Sequence, residues 1–426
     1  MKHFLKIGIL CFLPGSLLMA QEKMHITLEN PSDFIRNDEA IILSRRSLIK
    51  GLKSGTEEKL PLFKKADGSV LPSQTDDLDG DGKWDEAVFL LTLQPLEKTG
   101  INVSFVKAGD FPKFTQRAHA RMAKMDASGK FMPITAETMP EGMKPTDFSK
   151  TKLPLYHTEG PAWENDKVAF RLYFDPRNGK DIYGKTTSEM MMDRIGLGEN
   201  YHEKSWWGMD ILKLGNSLGA GSLAIIGKEK DHLQSVVKLG EHVEKTSYEL
   251  ISDGPVRAIF RMKYKNWQVS PEEKYDVTEE ISIVGGQYYY ESKVTLSGFT
   301  GERQLVTGIV NLLSDKAIQE IGEKDCLLAT FDKQSENKDN LGMAVLVKKS
   351  SFLGFDEAPE SGPAKVQQTY FVKLKSLPGV PVSFRFFAGW EAADEQFKNA
   401  GLFQKFLEKE RIRMSDTVKV NLKSQK

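Results

Sequence analysis

Residues 167–174 read Lys-Val-Ala-Phe-Arg-Leu-Tyr-Phe, and this stretch decides the fold class. Val168, Phe170, Leu172 and Phe174 fall on alternate positions, with Ala169, Arg171 and Tyr173 between them. Successive side chains of a strand point to opposite faces, so this period of two describes a strand with one buried face. Runs rich in β-branched and aromatic residues recur at 103–106, 256–264 and 382–387. Asp67-Gly68, Asp253-Gly254, Gly285-Gly286 and Pro378-Gly379 supply turns between such runs. Helical spacing is found at 394–410, where Phe397, Leu402, Phe403, Phe406 and Leu407 predict one helix. The chain is therefore expected to be mainly β, with few helices.

Pro140, Gly142, Pro145 and Pro154 break any regular element across residues 136–155. That stretch divides the chain into a small N-terminal β domain (21–135), a linker (136–155) and a larger domain (156–426). Residues 1–20 have the form of a secretory signal: Lys2, His3 and Lys6, then an apolar run, then Leu18-Met19-Ala20 before Gln21. The apolar run is too short for a membrane-spanning helix, and no later segment is long and apolar enough. Cys11 lacks the small residues that precede a lipidated Cys, which argues against a lipid anchor. An exported protein, periplasmic or secreted, is expected. After cleavage only Cys326 remains, so stability must come from core burial and not from a disulfide. With 59 basic and 59 acidic residues the formal charge is zero, which gives no support to nucleic-acid binding.

Residues 156–210 mix His, Arg, carboxylates and aromatics in a way that neither a core strand nor a solvated loop needs. Tyr156-His157-Thr158-Glu159 and Tyr201-His202-Glu203 frame Arg171, Arg177 and Tyr183, and Trp206, Trp207 and Asp210 follow. Aromatic platforms beside ionisable groups suit a wet cleft that grips a sugar. His202 is the candidate base, with His157 as the alternative, and Tyr183 or Tyr201 the candidate acid. Arg171 and Arg177 can clamp a carboxylate in a bidentate fork. Trp206 and Trp207 are adjacent, so one can enter the core while the other stacks on a sugar. Glu159, Glu203 and Asp210 complete the expected substrate contacts. His157, Glu159 and His202 could instead hold a metal, although no spacing fixes that geometry. Glycines 215, 219 and 221 match no nucleotide fingerprint and read as a turn, and no organic cofactor is expected.

Asp77, Asp79, Asp81 and Asp85 alternate on a tight turn with Gly80 and Gly82, like the first half of a calcium loop. The Lys83 carbonyl could add a ligand. Val88 stands where the closing Glu belongs, and a strand follows where a helix would. The competing reading is an acidic β-turn without metal. Calcium, where bound, is expected to be structural.

The stretches DDLDGDGKWDEAVF (76–89), HTEGPAWENDKVAFRLYFDPRNGKDIYGK (157–185), YHEKSWWGMDILKLGNSLGAG (201–221) and FFAGWE (386–391) carry a resemblance. They resemble the DUF4861 family, exported by Bacteroidetes and often encoded with polysaccharide-degradation machinery. The layout is also similar to exo-acting rhamnogalacturonan-lyase relatives and to the setting of ulvan-oligosaccharide dehydratases. The resemblance implies a small N-terminal β-barrel-like domain before a large β-supersandwich of galactose-mutarotase-like form. It implies a lyase or dehydratase acting by β-elimination on uronic-acid-containing, acidic oligosaccharides. Two alternatives stay open. One is a glycoside hydrolase pairing carboxylates among Glu159, Glu164, Glu203 and Asp210. The other is a non-catalytic glycan-binding protein of a polysaccharide-utilisation system.

Overall fold

The computed structural model describes residues 23–50, 58–198, 200–228, 234–360 and 365–424. The expected signal, residues 1–20, lies outside these described residues. The strands assemble into five sheets of antiparallel pairs. The alternation that decided the fold class recurs along Lys274–Val284, where Tyr275, Val277, Glu279, Ile281 and Ile283 are buried and the residues alternating with them are not. Among the described residues no helix is long and apolar enough to cross a membrane.

The N-terminal unit has two sheets. One is four-stranded, in the order Lys419–Ser424, Lys23–Glu29, Lys98–Val106, Leu60–Lys65. The other joins Arg36–Ser44, Glu86–Leu93 and Ser73–Asp76. Ile26, Phe63 and Val103 of the first meet Ile41 and Phe89 of the second in one core, with the Phe63 and Phe89 rings stacked 4.3 Å apart. Both sheets are open, so the barrel-like expectation becomes two facing sheets.

The expected boundary at residue 135 does not match the strand pairing. Ala118–Met125 and Phe131–Ile134 pair within the sheet of Ala162–Asn165, because Ala118, Ala120 and Met122 put a small apolar face on the larger core. Part of the expected linker is strand as well: Ala136–Thr138 pairs with Ser247, Tyr248 and Glu249. The last strand returns to the first, with Ile26 opposite Leu422.

The larger unit is a sandwich. A nine-stranded sheet, with Lys274–Val284 and Tyr289–Ser297 near its middle, forms one layer. A six-stranded sheet (Gly208–Asp210, Lys180–Lys185, Val168–Leu172, Ala162–Asn165, Ala118–Met125, Phe131–Ile134) and a five-stranded sheet around Arg303–Val310 face it. Trp163 and Phe170 from the six-stranded sheet meet Phe260 and Tyr290 from the nine-stranded one, with ring centroids 4.9–5.3 Å apart. The helix Ala400–Ser415 begins later than the sequence spacing suggests. Asn399 caps its N-terminus, and Asp394 caps only a separate short turn, Glu395–Phe397.

One polar contact crosses the sandwich. Lys180 donates to Glu279 and to the Gly221 carbonyl (3.0 Å), and Ser292 donates to the same Glu279 oxygen. Lys180, Glu279 and Ser292 are all buried. Removing one member of such a pair leaves an uncompensated buried charge, at a cost of about 3–5 kcal/mol. Lys180→Met should therefore lower urea-unfolding stability by about that amount, and adding Glu279→Leu should recover much of it. Equal loss in the single and double variants would show that packing, not charge, holds this position.

Candidate active-site cleft

The strand Val168–Leu172 sends Val168, Phe170 and Leu172 into the sandwich core, as its alternation requires. Its other face is not solvated: Ala169 and Arg171 are buried too. Residues 186–198 and 200–207 cover that face. Met191, Met192, Ile195 and Trp207 close over Ala162, Ala169 and Tyr183, and Tyr201 packs at the edge.

Polar anchors hold this cover. Arg121 donates to the His157 carbonyl (3.0 Å) and to the Met192 carbonyl, and Glu164 accepts the Met192 N–H (2.7 Å). His157 Nε2 lies 2.7 Å from the Ile195 carbonyl, and its ring stacks on Phe131. His119 sits between Asp253 (2.9 Å) and Asp193 (3.2 Å).

Where the cover ends, a cleft of about 630 Å³ opens. Arg171 forms its floor. Its guanidinium donates to Asp181 (2.7 Å), Tyr173 Oη (2.7 Å) and Asp210 (3.1 Å), and it lies 3.8 Å from Glu159. Arg177 binds Asp175 and Glu159, each at 2.6 Å, and lies 3.9 Å above the Tyr173 ring. His202 stands exposed at the mouth, with Nδ1 3.6 Å from Asp210. Lys238 enters from the five-stranded sheet and donates to the Ser217 carbonyl (2.9 Å).

Burial raises the Asp210 carboxyl well above the usual range, and the nearby Asp181 adds to the shift against the pull of Arg171. Partial desolvation lowers His202 below its ordinary value, and Arg171 pushes the same way. At neutral pH the cleft therefore presents a neutral imidazole. Burial lowers Lys238 to about 8, with Asp175 resisting and Arg177 assisting. Burial raises the Tyr173 hydroxyl, so it keeps its proton.

Of the residues singled out by sequence, Arg171, Arg177, His202 and Asp210 line the cleft together, and Glu159 lies behind it. Tyr183 is buried beneath the cover with its hydroxyl unpartnered among the described residues. His157 is buried as an anchor of the cover. Glu203 is exposed and bonded to Asn200, Trp207 is core, and Trp206 faces a neighbouring pocket. His157, Glu159 and His202 do not converge as metal ligands; among the described residues that geometry is met by Asp77, Asp79 and Asp85, within 4.8 Å of one another. Asp81 stands outside that group and faces Lys83 at 3.8 Å. The loop closes on itself, with Asp77 accepting from Gly80 and Gly82, and the Leu78 carbonyl accepts from Arg261 of the nine-stranded sheet.

Sequence reasoning missed Tyr173, Lys238, Glu241 and Glu336 as cleft residues. Tyr173 had a signal, since it shares the Arg171 face two residues on. The other three come from distant segments with no motif.

The model for the domain of unknown function DUF4861 matches residues 28–420, nearly the whole chain. The chain belongs to the DUF4861 family. It is 24% identical over 326 residues to uncharacterized protein P7 of Formosa agariphila, covering 70% of this chain and 71% of that protein. Among solved structures it is similar to an alpha-mannosidase from Enterococcus faecalis, with TM-score 0.49, 8% identity and 95% of this chain covered. A glycosyl hydrolase family 38 protein from the same organism gives TM-score 0.44 at 7% identity, with 96% covered. The chain spans about half the length of these two proteins, 46% and 48%.

The two anchor histidines give stability a pH optimum. Burial first, then Arg121, lowers His157 to about 4, so between 6.5 and 4 the unfolded chain binds the proton that the folded chain refuses. Stability falls as pH drops through that window, by on the order of 3 kcal/mol. His119 behaves oppositely. Burial opposes its charge, but Asp193 and Asp253 prevail and raise it to about 10. Its contribution is full below 6.5 and is lost as pH rises toward 10. Thermal unfolding should thus peak near pH 6.5 as far as these two groups decide it. His157→Phe should flatten the acid limb and His119→Gln the alkaline limb. Limbs unchanged in both variants would remove the histidines from the account.

Proposed function

We propose that this protein is an exported carbohydrate-active enzyme, a lyase or dehydratase performing β-elimination on uronic-acid-containing oligosaccharides. One observation carries the reading: a neutral, exposed imidazole and two cationic side chains, Arg177 and Lys238, line one cleft of ligand size. Elimination needs a base for the proton alpha to the sugar carboxylate, an acid for the leaving oxygen, and positive charge for the enolate-like intermediate.

In this reading Arg177 and Lys238 hold the carboxylate. His202 removes the alpha proton, and its electron pair forms the carbon–carbon double bond as the β carbon–oxygen bond breaks. The departing oxygen takes a proton from Tyr173, a residue that lines the cleft where Tyr183 and Tyr201 do not. A sugar leaves in the lyase case and water in the dehydratase case. Asp210 and Asp181 keep Arg171 in place beneath the reacting unit.

The hydrolase alternative fits less well. Of the carboxylates expected for it, Asp210 lines the cleft, while Glu159 lies behind it, Glu164 is buried against Lys185 and Glu203 is exposed and bonded to Asn200, so the expected pair does not meet in the cleft. We also propose structural calcium at Asp77, Asp79 and Asp85, with the Lys83 carbonyl as a further ligand; the convergence of three carboxylates supports it. Adding calcium to chelator-treated protein should raise its unfolding temperature, and Asp77→Asn should remove the rise. An unchanged unfolding temperature would reject the site.

The enzyme reading is tested on a panel of acidic oligosaccharides, followed by ultraviolet absorbance of the unsaturated product and by mass spectrometry. His202→Ala should lower kcat by about 10²–10⁴-fold. Lys238→Met should raise KM by about 10–100-fold. The rate should rise with pH through the depressed His202 value, below 6.5, and fall again near 8 as Lys238 loses its proton. Tight binding with the ligand unchanged after long incubation would favour a binding protein. Activity that survives His202→Ala but not Asp210→Asn would favour hydrolysis.

A further inference from the structure

Beside the cleft, the covering segment forms a second pocket of about 240 Å³. Met191, Ile195, Leu197, Tyr201, Trp206 and Trp207 form most of its wall. Trp206 is 56% exposed and Leu197 55%. Large apolar side chains held together in water mark a surface that something else covers. The backbone of Trp206 is held in place. Thr186 donates to its carbonyl (2.8 Å), and Trp207, the next residue, is locked in the apolar cluster with Tyr183. Arg194 lies 5.9 Å from the indole of Trp206.

The two pockets meet at consecutive residues. Tyr201 lines the second pocket and His202 lines the cleft, and their rings are 4.3 Å apart. We infer that the second pocket is the neighbouring sugar subsite. The substrate is then an oligosaccharide whose reacting uronate sits at Arg177 and Lys238, and whose next unit passes Tyr201 and stacks on Trp206.

This inference rests on the proposed function of the cleft, and continuity with the cleft names the occupant. The pocket is less than half the cleft's volume, in keeping with one ring where the cleft takes more. An indole beside a cation suits a sugar that is apolar on its ring face and acidic at its edge. Arg194 is paired with Glu189 at 2.8 Å, but both are more than half exposed, so a sugar carboxylate can replace Glu189 at small cost. A membrane would need a broad apolar face flanked by basic residues, and this pocket is small and concave.

The test compares kcat/KM for a series of uronic-acid oligosaccharides of increasing length. The wild-type protein should prefer the longer substrates. Trp206→Ala should reduce the ratio of long-substrate to short-substrate kcat/KM by about tenfold, and Trp206→Phe should restore most of it. Leu197→Asp, in the same pocket, should reduce the same ratio. Trp206 is exposed, and an unchanged unfolding temperature will show that the variants are folded. A ratio unchanged in Trp206→Ala, in a protein that turns over the series, overturns the subsite and leaves the cleft reading standing. Failure of the wild-type protein to bind or convert any member, measured by calorimetry and mass spectrometry, overturns both.

Discussion

A guanidinium buried between two layers is the interaction on which the site depends. Arg171 occupies a strand whose two faces are both covered, a position where an unpaired charge would cost several kcal/mol. It is tolerated because Asp181, Asp210 and Tyr173 meet it at hydrogen-bond distance and Glu159 stands close behind. Each of those partners is in turn fixed. Asp181 lies opposite Arg171 in the strand register, and Asp210 lies opposite Tyr183 on the next strand but one. The sheet thus sets the spacing of the charges, and the charges let a polar floor exist under a ligand-sized cleft. The raised Asp210 and the lowered His202 are both consequences of this crowding.

The fold was legible because its strands obey a period of two. Val168, Phe170 and Leu172 enter the core as that period demands, and so do Tyr275, Val277, Ile281 and Ile283. Domain limits were less legible, because Pro and Gly mark local breaks but do not say which sheet a strand joins. Ala118–Met125 lies before the break at 136–155 and still belongs to the larger core, and Lys419–Ser424 lies at the other end of the chain and belongs to the smaller unit. Strand pairing is a long-range choice made by whole apolar faces, and a local reading does not contain it.

For the site, the cluster of unusual residues was legible but not the role of each. His157 and His202 sit in similar sequence surroundings, yet one is packed on Phe131 and the other stands in solvent. What separates them is the cover, which buries one and carries the other. Trp206 and Trp207 are divided by the same segment, although they do not lie on a strand. Lys238 was invisible because it reaches the cleft from another sheet. The cover is held by Arg121, Glu164, His119 and His157, residues that never reach the cleft and still decide where His202 stands.

The pairing of the last strand with the first has a consequence for how the molecule is made. A chain that emerges from its N-terminus presents Lys23–Glu29 early, but one edge of that strand waits for Lys419–Ser424, nearly the whole length later. Val418 and Leu422 add apolar surface to the same core, and Arg36 and Arg413 tie the returning segment to the first unit. The smaller unit therefore completes last, although most of it is synthesised first. Until then it carries an unsealed edge, the kind of surface through which β proteins stick to one another.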